Sequence, residues 1–321
     1  GCTTFGSIDL QGARVPFDFA SAWEALADEF GDSELFVCGD VRRSWTEAEG
    51  RAARIAGVLR AAGLGEADNV GLCLYNGNEY LEAQWGAMKE RCYPFNVNYR
   101  YSAPELRSLL DDADARAVFY SAPLREHFDE IRADLPQLTL LVEVGGDGDA
   151  PDWAVDYEAA ISATEPAGRI ERSAEDLWLL FTGGTTGRPK GVMWPHSAMV
   201  GTMANIYRGM KMSLPDSVDD VVARAREVRE RGLVTRQLAA APLMHGTAGI
   251  TALSTMTQGG TVVTMPTQSF DADLAWETVG RERTTHLTVV GDAFCRPMVD
   301  ALDRAVERGE PYDLSSIFLI M

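Results

Sequence analysis

Two hydrophobic periodicities alternate along residues 44–120, and that alternation limits the chain to one class of fold. Ala52, Ile55, Leu59 and Ala62 recur at three- and four-residue spacing, which marks a helix with one apolar face. Thr46 with Glu49 reads as the capping box that opens it, and Gly63 closes it. Residues 70–75 (VGLCLY) then read as a buried strand, Asn76-Gly77 as a turn, and residues 79–90 as a helix carrying Tyr80, Leu81, Trp85 and Met88. Ser102 with Glu105 forms a second capping box ahead of Leu106, Leu109 and Leu110, and residues 115–120 are the next strand. Strands separated by helices require crossovers, so the reading is α/β: a mainly parallel sheet with helices on its faces.

At 321 residues and 46% hydrophobic content, the chain exceeds the size at which one core stops growing, and two subdomains are expected. Residues 145–172 turn to Gly, Asp, Pro and Ser, which places an approximate seam at 145–175 between a first part, 1–172, and a second, 173–321. Residues 215–232 are dense in charge, with Val218, Val221, Val222, Ala225 and Val228 on one side of a helix, and read as a solvated surface excursion. Residues 238–270 carry no Asp, Glu, Lys or Arg. That is long enough to span a membrane, yet Pro242, Pro266, Gly259-Gly260 and many threonines predict strands and turns of a buried core, with no transmembrane helix.

A formal charge of −19 would repel a nucleic-acid backbone, so nucleic acid is excluded as a general partner and any phosphate must be held by a local site. Five cysteines, far apart and without CxxC spacing, predict a reducing cytoplasm and no metal site. Cys73 and Cys92 read as buried small hydrophobes. Lys89, Lys190 and Lys211 are the only lysines, so a lysine inside a motif stands out.

Residues 181–191 read FTGGTTGRPKG, following a strand over 177–182 and leading into the strand-like Val192-Met193-Trp194. Four glycines and three threonines let backbone N–H groups and hydroxyls approach an anion closely. It is not a Walker A loop, because Pro189 precedes the lysine, Gly191 follows where Ser or Thr would bind magnesium, and no helix opens directly after it. The chain has no GxGxxG sequence, GxSxG elbow or zinc constellation.

The loop resembles the signature of the adenylate-forming superfamily, which includes acyl- and aryl-CoA synthetases, luciferases and peptide-synthetase adenylation domains; its usual form is [YF]TSGTTGxPKG. Gly183 departs from it, standing where serine is usual. Residues 44–63, 70–90 and 91–106 (RCYPFNVNYRYSAPEL) resemble the superfamily's early core segments, and 241–249 (APLMHGTAG) resembles its next motif. Met193-Trp194 and the 181–184 form look most like bacterial synthetases for fatty acids and sterol side-chain acids. The resemblance implies a large amino-terminal domain of stacked, mainly parallel sheets flanked by helices. The whole of 1–321 would then be a truncated AMP-binding domain without the small carboxyl-terminal domain.

The same resemblance implies a reaction and a set of site residues. A carboxylate attacks the α-phosphate of ATP, pyrophosphate leaves, and coenzyme A displaces AMP from the acyl-adenylate. Lys190 and Thr186 would be catalytic; Thr182, Gly183, Gly184, Thr185, Thr186, Gly187 and Lys190 would hold the nucleotide, with Mg²⁺ neutralising the departing phosphates and no residue assigned to the metal. His245, Gly246 and Thr247 would border the acid. His245 remains open between that role and that of a packed histidine. His196 is expected to cap the next helix, and His127 and His286 to be structural. Asp111, Asp112 and Asp114 read as a solvated face. Residues 291–302 (GDAFCRPMVDAL) read as a turn and amphipathic helix that either lines the pocket or belongs to the core. The acceptor stays open between coenzyme A, a carrier-protein thiol and oxygen, as does a catalytically incomplete nucleotide-binding module.

Overall fold

The computed structural model describes residues 15–182 and 190–321. In chain order the first elements are α1 (Phe19–Phe30), β1 (Glu34–Cys38), β2 (Val41–Ser44), α2 (Trp45–Ala61), β3 (Asn69–Cys73), α3 (Asn78–Lys89) and β4 (Tyr93–Asn96). Then follow α4 (Ala103–Asp112), β5 (Ala115–Ser121), α5 (Arg125–Ile131), β6 (Leu140–Val144), β7 (Val155–Asp156), α6 (Tyr157–Ala163), β8 (Leu177–Thr182) and β9 (Lys190–Pro195). The remainder comprises α7 (His196–Thr202), α8 (Ala204–Gly209), α9 (Val218–Glu230), β10 (Arg236–Ala239), α10 (Gly246–Thr257), β11 (Thr261–Thr264), α11 (Ala272–Glu282), β12 (His286–Thr288), α12 (Asp292–Arg308) and β13 (Leu319–Ile320).

The strands form two sheets, ordered β13-β12-β10-β11-β1-β2 and β7-β6-β5-β3-β4-β8-β9. Every pairing is parallel except β1 with β2 and β8 with β9, which are antiparallel at a sheet edge. The predicted α/β class is therefore the observed one. Both sheets draw strands from both sides of residues 145–175, since β1 and β2 join β10–β13 while β8 and β9 join β3–β7.

Period-two alternation along each strand builds three apolar layers. Ala117 and Phe119 of β5 point into a central cluster with Val262 of β11, Trp23, Trp45 and Trp85. Val118 and Tyr120 point the other way, against Leu106 and Leu110 of α4. Val263 of β11 and Leu238 of β10 turn away from the centre toward Trp276 of α11 and Met298 of α12. The order is helices, sheet, helices, sheet, helices, with α1, α2, α3 and α10 contributing to the middle layer.

Three sequence expectations are corrected. The capping box of α2 is Ser44 with Glu47: Glu47 N donates to Ser44 Oγ at 3.2 Å and Ser44 N to Glu47 Oε2 at 2.7 Å. The helix thus starts one residue before the Thr46 that was read as its cap. Residues 218–230 are no solvated excursion, because Val221, Ala225 and Val228 are buried and Arg229 lies 4.4 Å over the Phe30 ring of α1. Residues 238–270 contain the twelve-residue helix α10 besides strands and turns. Thr251, Thr255 and Thr257, unfavourable in an isolated helix, bond within it or to a neighbouring side chain; Thr257 Oγ1, for example, donates to Leu253 O. The second box, Ser102 with Glu105, and buried Cys73 and Cys92 are as expected.

His196 does not cap α7. It is the helix's first residue, with Pro195 at the cap position. Its ring is buried 5.1 Å from that of Phe19, and neither ring nitrogen has a hydrogen-bond partner among the described residues. Burial lowers its pKa from the ordinary 6.5 to about 4, against the weaker opposing pull of Asp18 and Asp176. Between those two values only the unfolded chain takes up the proton, so stability is full above pH 6.5 and lost as pH falls toward 4. A loss of about 2 kcal/mol from this residue is expected between pH 7 and pH 5. Urea titrations at the two pH values check it: His196→Leu should flatten the acid slope, and an unchanged slope would remove His196 from its cause.

Candidate active site

The carboxyl ends of parallel strands from both sheets open onto one crevice, where open α/β sheets place their ligands. A cleft of about 390 Å³ is bounded by Tyr75 after β3, Tyr99 after β4, Ala240 and Pro242 after β10, Met265 after β11, and Phe294 in α12. A second cleft of about 470 Å³ shares Tyr75, Asn76 and Gln268 with it and extends to Ser121 and Gly145, at the ends of β5 and β6. The rings of Tyr75 and Tyr99 stand 4.7 Å apart, as do those of Phe270 and Phe294.

The two described ends of the glycine-rich motif, 181–182 and 190–191, lie in the edge strands β8 and β9. β8 runs parallel to β4, so its end lies on the same side as the end of β4. β9 returns antiparallel in a register that pairs Thr182 with Lys190 and Phe181 with Gly191. Thr182 and Lys190, both expected at the nucleotide, are therefore cross-strand neighbours, and both are exposed. The Lys190 ammonium has no hydrogen-bond or ion-pair partner among the described residues. Gly183, Gly184, Thr185, Thr186 and Gly187 lie outside the described residues. A Cβ at Gly191 would come within 2.9 Å of the Phe181 ring, which would have to shift to admit it.

His245, Gly246 and Thr247 form the start of α10, with His245 at the cap position and no side chain capping the helix. His245 and Thr247 are exposed, so the packed-histidine reading of His245 does not hold. Gly246 brings this turn against β8: a Cβ there would be 3.0 Å from Leu180 Cδ2. The segments around residues 181 and 245, about sixty residues apart in sequence, thus meet.

Asn96 joins them and Asn76 anchors the stretch before α10; the sequence reading gave Asn76 only a turn and Asn96 no role. Asn96, at the end of β4, accepts from Phe181 N at 2.7 Å and donates to Phe181 O at 2.9 Å and Met244 O at 2.7 Å. Asn76 donates to Ala239 O and Ala241 O, both at 3.0 Å, and accepts from Leu243 N at 2.7 Å. Beneath α10, Gln237 donates to Thr251 and Thr288 and accepts from Thr255, while Thr251 donates to Thr247 O. The available signal was positional: single polar residues at the ends of otherwise apolar strands.

A profile described as "AMP-binding enzyme" matches residues 23–321. The chain belongs to the AMP-binding enzyme family. It is 36% identical to "Medium-chain acyl-CoA ligase Mig" of Mycobacterium avium, covering 97% of this chain and 58% of that one. It is 34% identical to "3-oxocholest-4-en-26-oate--CoA ligase" of Rhodococcus rhodochrous, covering 86% and 49% respectively. This AMP-binding chain therefore spans about half the length of the curated relatives it matches. Among solved structures, the inhibitor-bound N-terminal domain of FACL13 from Mycobacterium tuberculosis superposes with a TM-score of 0.73 at 25% identity, over 94% of this chain and 69% of that one.

Proposed function

We propose that this AMP-binding chain belongs to an enzyme that activates a fatty or sterol side-chain carboxylic acid as its acyl-adenylate and passes the acyl group to coenzyme A. The observation that carries the reading is that Phe181, which opens the FTGGTTGRPKG motif, and Met244, just before the start of α10, are joined through Asn96. Lys190, Thr182 and the residues 183–187 between them would hold the β- and γ-phosphates of ATP, and His245, Gly246 and Thr247 would border the acid. The names of the relatives support the acid class and the acceptor. Free Cys38, Cys73, Cys92 and Cys295 support a reducing cytoplasm, and among the described residues no helix is long and apolar enough to cross a membrane.

Catalysis here is positioning and charge. Aligning a carboxylate oxygen with the α-phosphorus converts an encounter into a unimolecular step. The Lys190 ammonium would stabilise the charge that develops on departing pyrophosphate. Among the described residues no group of three or more His, Cys, Asp or Glu could hold a metal ion; Mg²⁺ would arrive with the phosphates of ATP and supply charge neutralisation there.

Acid-dependent ATP–pyrophosphate exchange, in the longest reading frame containing this segment, tests the reading with a panel of short, long and sterol-derived acids. Exchange with fatty or sterol acids, followed by thioester formation with coenzyme A rather than with a phosphopantetheinylated carrier protein, is the expected result. A folded full-length protein that exchanges with no acid would overturn it in favour of a nucleotide-binding module.

A further inference from the structure

We propose that Asn96 is a positioning residue that sets the phosphate-side hairpin and the acid-side segment at a common alignment, an inference that rests on the adenylating reading above. The backbone ladder between β4 and β8 reaches only the Phe95–Leu179 pair. Beyond it the Asn96 carboxamide takes the place of a neighbouring strand, engaging both the N–H and the C=O of Phe181, the residue that opens the glycine-rich motif. A residue completing a sheet would need no more than that.

Asn96 does more, because the second hydrogen of its Nδ2 goes to Met244 O, outside that sheet and immediately before His245. Asn96 is 7% exposed, and its three hydrogen bonds leave a single orientation: turning the amide over would set its oxygen against two carbonyls. The position of the start of α10 is thus tied, through one rigid planar group, to the position of the hairpin. Asn76 fixes the other end of the same segment through Ala239, Ala241 and Leu243, so 239–244 has little freedom to compensate if Asn96 is changed.

Such a residue acts on alignment and not on either substrate's affinity. Misplacement by about 1 Å can cost on the order of 10²-fold in rate. The experiment is pyrophosphate exchange by the full-length protein carrying Asn96→Asp, which keeps the acceptor and loses both donors, or Asn96→Gln, which keeps the amide on a longer stem. Leu59→Ala, a core truncation in α2, serves as the destabilised control. Expected for both Asn96 variants is a kcat lowered about 30- to 100-fold, with KM for ATP and for acid within about threefold of wild type. Asn96→Asp should also regain activity relative to wild type as pH falls, because a protonated carboxyl can again donate to one carbonyl; Leu59→Ala should lose thermal stability without that pH signature. An active wild type with both Asn96 variants within about threefold in kcat would overturn the inference alone, as would losses that merely track the unfolded fraction. A wild type without exchange would overturn the adenylating reading, and this inference would fall with it.

Discussion

Lys190→Ala is expected to lower acid-dependent pyrophosphate exchange by about 10²-fold while leaving the unfolding midpoint where it was. The two halves of that result come from different physics. Lys190 stands exposed at the first position of β9, and its ammonium has no partner among the described residues; removing an unpartnered surface charge changes stability by about 0.5 kcal/mol or less. Its main-chain pairing with Thr182 survives the substitution. What is lost is a charge placed where two negatively charged phosphates would depart, and one such group is worth roughly 3 kcal/mol of transition-state stabilisation. Both kcat and kcat/KM should fall, because the interaction grows as pyrophosphate separates. A variant with normal exchange would remove Lys190 from the reaction, and one that unfolds would show that it serves the hairpin.

How much of this was legible beforehand depended on the range of the interactions involved. The helix opened by the Ser102–Glu105 box, the strand over 177–182 and the α/β class follow from spacing within a few residues, and the structure has them. The motif from which phosphate binding at 181–191 is expected is equally local. The partners of Asn76 and Asn96 were not legible, because each acts on backbone atoms 85 to 167 residues away, and a polar residue at a strand end does not say which segment it will bind. The missed helix α10 has the same cause: its threonine-rich sequence predicts strand locally, and burial of Ala248, Ala252, Leu253 and Met256 in the central layer decides otherwise. His196 failed differently. Position alone suggested a cap, but the apolar packing around Phe19 turned the ring inward.

Lysine is rare enough here to pose one question three times, and Lys89 answers it in the opposite way to Lys190. Its side chain is 1% exposed at the end of α3, bonded to Glu24 and, at 2.7 Å, to Glu49, with Nζ 5.7 Å over the Trp85 ring. Arg172 closes the group, donating to both oxygens of Glu24 at 3.0 and 2.9 Å and to Lys89 O at 2.8 Å. A buried ion pair need not stabilise a fold relative to apolar residues of the same shape, yet removing one partner strands the other. Lys89→Met nearly conserves volume and deletes the cation, leaving Glu24 with Arg172 and, at 3.8 Å, Arg169. A loss of about 3 kcal/mol is therefore expected in urea unfolding, with exchange activity per folded molecule unchanged. Adding Glu24→Gln should restore part of that loss, since the more deeply buried of the two carboxylates that lost the lysine is then neutral, although Glu49 stays charged and Arg172 keeps a weaker partner. An Lys89→Met midpoint equal to wild type would mean that water reaches the cluster and screens it. A double variant no better than the single would mean that the cost lies in the lost contact with Trp85 rather than in the stranded charge.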